Sequence, residues 1–304
     1  MTKRAKHHNN PDPVFDDTGP SSSQTPYLIP STPDVQIASI LSVGDQVGVK
    51  DGPAGFVGQP WRMAGIPDGL GAFDNGDGTM TVLMNHELPN TTGLPREHGS
   101  AGSFVSQLVV DTDTLQVVSA GDLVQRVFVY DTTTDSYRAA TAAEATFNRL
   151  CSADLAPASA FYDAATGLGT TERIYLNGEE SGPPFGDYGR AFAHIVMGTE
   201  AGDSYELAKL GNMAFENSLA NPNSGAKTVV VVTDDATPGE VYLYVGTKQA
   251  SGTTIEKAGL TNSLLFGIVA SFGDDTSATP APATFTLVAQ GAGGDVSELD
   301  GAAL

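Results

Sequence analysis

The feature that most constrains this chain is a recurrence of short apolar runs, each of strand length and each closed by Gly, Asp or Asn. TMTVLMNHE (79–87), SFVSQLVVD (103–111), LVQRVFVYD (123–131), ERIYLNGEE (172–180), RAFAHIVMG (190–198), KTVVVVTDD (227–235) and EVYLYVGTK (240–248) are the clearest. Val, Tyr, Thr and Phe dominate them, the residues that suit a pleated, half-buried surface. The connectors carry turn chemistry. DNGDGT (74–79) places Asn75-Gly76 and Asp77-Gly78 where a hairpin needs positive φ, and DTDT (111–114) and ATPGE (236–240) read as tight turns. Helical periodicity is weak; AAEATFNRL (142–150) predicts one or two helical turns at most. With 35 glycines and 18 prolines in 304 residues, turn-makers are too frequent for long helices. The fold class is therefore all-β. The strands are too many for one small sandwich, and a β-propeller-like array of short antiparallel strands fits their spacing, although no repeat of fixed period is present.

Residues 1–35 are polar and Pro-rich and read as a flexible lead-in. Residues 36–304 read as a single domain, large enough to bury a core without staples. The stretch 273–304 turns acidic and Ala/Gly-rich and ends in SELDGAAL, a loop-like ending. Acids number 36 against 15 Lys and Arg, for a net charge of −21. That balance excludes nucleic acid, whose phosphates attract basic side chains, and anionic membrane surfaces. A 40% hydrophobic content is too rich for a disordered chain of this charge. One cysteine, Cys151, excludes both an internal disulfide and a CxxC zinc site. No run of about 18 apolar residues is present to span a bilayer. The basic start MTKRAKHHNN is followed by no apolar segment of a signal peptide.

The acids cluster where apolar strands end: Asn85-His86-Glu87, Glu179-Glu180, Glu216-Asn217 and Asp234-Asp235. Carboxylates on neighbouring strand ends repel one another unless a cation lies between them. Ca²⁺ takes six to eight oxygens at about 2.3–2.6 Å, and iron or manganese accepts carboxylates with some N or S. Two readings stand side by side, a solvated acidic surface and a shared cation site. Cys151, in FNRLCSADL, reads as a small buried hydrophobe, a thiolate ligand or a nucleophile. His86 is a ligand, a base or a satisfied rim histidine; His194 alternates within its run as a packed strand residue. DNGDG resembles the start of an EF-hand loop, but the twelfth place from Asp74 is Asn85 rather than Glu, so it is a hairpin turn.

Taken in order, GIPDGLGAFDNGDGTMTVLMNHEL, FNRLCSADL, YLNGEESG, GRAFAH, MAFENS, TDDATPGEVYLYVGTK and IEKAGLTNSLLFGI resemble the bacterial PhoX-type alkaline phosphatases over roughly Tyr27 to Val269. The resemblance implies a β-propeller holding a mixed iron–calcium cluster that hydrolyses small phosphomonoesters outside the cytoplasm, as a monomer. It implies Cys151 as a ligand to Fe³⁺, Glu179 or Glu180 as the carboxylate that follows it, and Glu216 as a further iron or calcium ligand. It implies Asp234 and Asp235 as Ca²⁺ ligands and Asn85 as the residue that contacts the substrate phosphate. The implied mechanism is a metal-activated oxygen attacking phosphorus.

One departure is plain. The family pattern continues with an Arg-Pro-Glu-type segment that supplies a phosphate-binding arginine and a metal carboxylate. Arg190 is the last arginine here, so the expectation is a propeller ring without its closing C-terminal strands. The alternative reading that follows is a non-catalytic, calcium-stabilised propeller module acting in surface or protein interaction. A phytase-like or lactonase-like propeller hydrolase is a third.

Overall fold

A computed structural model describes residues 18–32, 34–48, 60–182, 188–237, 239–271 and 284–289. The chain divides into two compact units: one of residues 1–64, 74–81 and 108–120, the other of residues 65–73, 82–107 and 121–304. In the first unit, Gln46–Val47 pairs antiparallel with Trp61–Arg62. The DNGDGT turn also belongs there. Gly76 and Gly78 take φ of 78° and 87°, and the Asp74 and Asp77 carboxylates accept the Gly76 and Thr79 amides at 2.7 and 3.0 Å. This is the hairpin chemistry that the sequence predicts.

The fold is all-β, built of short strands in separate sheets. A four-stranded sheet runs in chain order through Pro67–Asp74, Thr79–His86, Phe104–Asp111 and Val117–Asp122. A second sheet orders Ser136–Ala139, Arg126–Asp131, Asp203–Glu206, Gly189–Ile195, Ile174–Glu179 and Leu150–Asp154, with Asn212–Met213 also on Gly189–Ile195. A third runs Phe215–Ala220, Lys227–Asp234, Val241–Thr247, Leu265–Ser271 and Thr284–Ala289. In the second and third sheets the pairing of Asp203–Glu206 with Arg126–Asp131 is parallel and the others are antiparallel. All seven apolar runs of the sequence contain a strand.

Of the one or two helical turns expected over 142–150, a single turn forms, closed by Ala145 N–H on Thr141 O at 2.8 Å, and no helix continues from it. Phe147 bridges Ser103 in an extended backbone and is fully buried, and Arg149 takes φ of 52°, so the segment is pulled straight into the core. Thr284–Ala289, inside the stretch that turns acidic and Ala/Gly-rich, is a strand paired with Leu265–Ser271; the loop-like ending expected at SELDGAAL lies outside the described residues.

The second unit carries two apolar cores. One gathers Ile174, Leu176, Ala193, Phe215, Val230, Val232 and Tyr244; the other gathers Leu83, Val105, Phe147, Leu150, Tyr175 and Phe192. Alternation along Ile174–Glu179 feeds both, with Leu176 in one and Tyr175 in the other. That strand is buried along its whole length, and its C-terminal end delivers Glu179 and Glu180.

Candidate metal centre

Three strands of the second unit converge on one spot. Leu150–Asp154 pairs with Ile174–Glu179 through a register shift between Asn177 and Glu179, and Phe215–Ala220 pairs with Lys227–Asp234 through a shift between Phe215 and Asn217. Gly178 and Glu216 are thus the residues at two bulges. A bulge re-aims the side chains beside it. At Gly178 an added Cβ would lie 2.3 Å from the Cβ of Phe215, so the absence of a side chain lets these strands meet.

The result is a cluster of donors. One atom each from Cys151, Glu180 and Glu216 lies within 4.8 Å of the other two. The Cys151 Sγ is 3.6 Å from Glu216 Oε2 and 3.8 Å from Asp68 Oδ2. Asp68 in turn feels the negative charge of Glu87. Arg149 closes the rim. Its Nε donates to Glu87 Oε1 at 2.9 Å and its Nη2 to Glu180 Oε1 at 2.7 Å, with the side chain one-third exposed. The left-handed backbone of Arg149, unusual for a residue with a side chain, allows its N–H to reach Leu88 O while its own carbonyl accepts from Glu180 N. Ser152 Oγ donates to Asn217 Oδ1, tying the neighbours of Cys151 and Glu216 together.

Electrostatics define what the cluster lacks. Four carboxylates and a thiol face one guanidinium. Burial pushes the Cys151 thiol far up, and the charges of Asp68 and Glu216 add to it. Burial and then Glu87 raise the Asp68 carboxyl. Burial also raises Glu180, with Arg149 opposing it. In each case burial, ahead of any neighbouring charge, disfavours the ionised form. A cation would favour that form, and the donor set is chemically apt: a thiolate suits iron, and carboxylate oxygens suit both iron and Ca²⁺.

The other residues singled out in the sequence fall elsewhere. Strand alternation turns Glu179 away from Glu180, into a forked pair with Arg190: Nε to Oε2 and Nη2 to Oε1, both 3.0 Å. Asp234 Oδ1 accepts the Ala236 amide at 3.0 Å, and Asp235 is exposed, with its N–H on Ala214 O. Neither aspartate is in the group formed by Cys151, Glu180 and Glu216. Asn85 is fully buried, its Nδ2 donating to the carbonyls of Cys151 and Ser152. His86 is buried, stacked on Phe104 at 4.0 Å, with Nε2 3.0 Å from Ser106 Oγ. His194 is a packed strand residue.

Asp68 and Arg149 were not singled out by the sequence. The glycines of GIPDGLGAFD disguise a strand. They are needed there, because a Cβ at Gly69 would lie 2.5 Å from Ala153 N and one at Gly71 2.6 Å from Leu155 Cβ. This close approach, with Tyr175 Oη donating to Gly69 O at 2.7 Å, brings Asp68 to Cys151.

No family model matches the chain, and no curated protein matches it. Among solved structures it is similar to Pseudomonas fluorescens PhoX in complex with vanadate, a transition state analogue. The TM-score is 0.46 and the identity 13%, over 68% of this chain and 46% of that one. The chain thus spans less than half the length of that protein. No helix among the described residues is long and apolar enough to cross a membrane.

Proposed function

We propose that the chain is a metal-dependent phosphomonoester hydrolase of the alkaline phosphatase type, working outside the cytoplasm as a monomer on small phosphate esters. The observation that carries this reading is the convergence of Cys151, Glu180 and Glu216 on one spot. The ordered motifs that resemble PhoX-type phosphatases supply the chemistry to attach to it.

Cys151 with Glu180 or Glu216 would hold Fe³⁺, and the remaining carboxylates, Asp68 and Glu87 included, would hold Ca²⁺. When bound, such cations neutralise phosphoryl oxygens and acidify water at neutral to alkaline pH. The chain's own residues set the frame. The bulge at Glu216 and the glycine at 178 fix the carboxylates relative to the thiol. Arg149, at the rim and one-third exposed, offers guanidinium N–H groups to a phosphate oxygen, the kind of partner that a planar fork suits. That would fill the role of the arginine that the family pattern places beyond this chain's last arginine.

The test is hydrolysis of a chromogenic phosphomonoester at alkaline pH with Ca²⁺ and iron supplied. Turnover that EDTA abolishes and that Cys151→Ala and Glu216→Gln remove is expected. Metal bound with no rate above the blank would contradict the enzyme reading and leave the calcium-stabilised module.

A further inference from the structure

Three buried amide and imidazole groups form a continuous chain beneath the metal centre. Asn85 Nδ2 reaches Cys151 O, Asn177 Nδ2 is 3.0 Å from Asn85 Oδ1, and His194 Nε2 is 2.8 Å from Asn177 Oδ1. All three side chains are fully buried. They come from three strands, Thr79–His86, Ile174–Glu179 and Gly189–Ile195.

The direction of this chain is forced. The carbonyls of Cys151 and Ser152 can only accept, so the amide nitrogen of Asn85 must face them and its oxygen must face Asn177. Asn177 must then turn its nitrogen to Asn85 and its oxygen to His194. His194 must therefore carry its proton on Nε2. Its other nitrogen, Nδ1, is buried with no hydrogen-bond partner, as fits the unprotonated lone pair of that tautomer. Burial pushes the imidazole down to about 3, in keeping with a neutral ring.

We propose that His194, Asn177 and Asn85 are positioning residues, a one-way hydrogen-bond relay that pins the backbone of Cys151 and so fixes where its thiol points. Nothing in the relay touches substrate or cation. Its value to the metal centre rests on the function proposed above, whereas its hold on Cys151 does not.

The experiment separates the two. Cys151 is the one cysteine of the chain, so the ratio of its iodoacetamide alkylation rates between variants, in metal-free protein at one pH, reports the change in its local freedom. Gln at position 194 keeps a side-chain N–H donor and Leu does not. His194→Gln is expected within about twofold of the unmutated rate and His194→Leu about tenfold faster, the fold-change of one lost buried hydrogen bond. Nitrogen–proton NMR correlations on isotope-labelled histidine in the unmutated chain are expected to show His194 as the Nε2–H tautomer at pH 7, a result that stands whether or not His194→Leu folds. An Nδ1–H tautomer, or equal alkylation rates in folded protein of all three forms, would overturn the relay. A Co²⁺ titration of the unmutated chain reads the other question. A thiolate-to-cobalt charge-transfer band supports Cys151 as a ligand, and its absence removes the metal reading while the relay is still decided by tautomer and alkylation.

Discussion

At the residue scale the second unit stakes most on charged and titratable groups taken out of water. Arg190 bridges Glu179 while also donating to the carbonyls of Glu144 and Thr146 at 2.8 and 2.9 Å. Arg190→Ala would strand a buried carboxylate, and a loss of about 3–5 kcal/mol in urea-monitored unfolding is expected. His98 behaves differently. It is 8% exposed, packed against Phe147 at 5.0 Å, and neither ring nitrogen has a partner. Burial, and then the Arg96 charge, push it down to about 4 from 6.5. Between those values the unfolded chain binds the proton and the folded one does not, so His98 makes stability rise with pH from about 4 to 6.5. His98→Phe keeps the ring contact and removes the proton site. The expected outcome is a shallower rise over that window than in the unmutated chain, by paired denaturant titrations. Raised carboxylates such as Asp68 and Glu180 act in the opposite sense, but are common to both proteins and cancel in the difference. An unchanged slope would place His98 in a wetter setting than its burial indicates.

At the scale of elements, strands were legible and their irregularities were not. Runs such as KTVVVVTDD and EVYLYVGTK announce themselves by β-branched and aromatic residues, and they pair residue for residue from Lys227 with Thr247 to Thr233 with Val241. Leu150–Asp154 and Phe215–Ala220 are too short and too mixed to stand out, yet they carry Cys151 and Glu216. Of the site, the sequence exposed the acids at strand ends, Glu180 and Glu216, and the lone thiol. Which of two adjacent acids faces inward depends on register, and register here turns on two bulges that no local pattern announces. Nor does a sequence reveal the positive φ of Arg149 or the close crossing at Gly69. Gly178 tests this level directly. Gly178→Ala drives a methyl into Phe215, so a destabilisation of about 1–3 kcal/mol is expected, together with weaker cation binding as Glu180 and Glu216 are pushed apart. Calorimetric titration with Ca²⁺ checks the second part; destabilisation with unchanged affinity would detach the bulge geometry from the site.

At the scale of the molecule, a net charge of −21 favours cations generally, so a specific site must be told from a diffuse atmosphere. A specific ligand stabilises by RT ln(1 + [L]/Kd), about 2.7 kcal/mol at a hundredfold excess over Kd, and the effect persists in moderate salt, whereas general screening does not. Thermal unfolding with Ca²⁺ in 0 and roughly 0.15 M NaCl, the range over which screening shortens to about 8 Å, is expected to retain the rise in Tm, and Glu216→Gln is expected to lose it. Elemental analysis of the purified chain, side by side with Cys151→Ala and Glu180→Gln, asks whether a cation sits among these donors. Near-stoichiometric iron or calcium in the unmutated protein, with iron lost on removing the thiol and total metal reduced on neutralising Glu180, is the expected result. Metal content near zero after loading and desalting, or content indifferent to both substitutions, would contradict it.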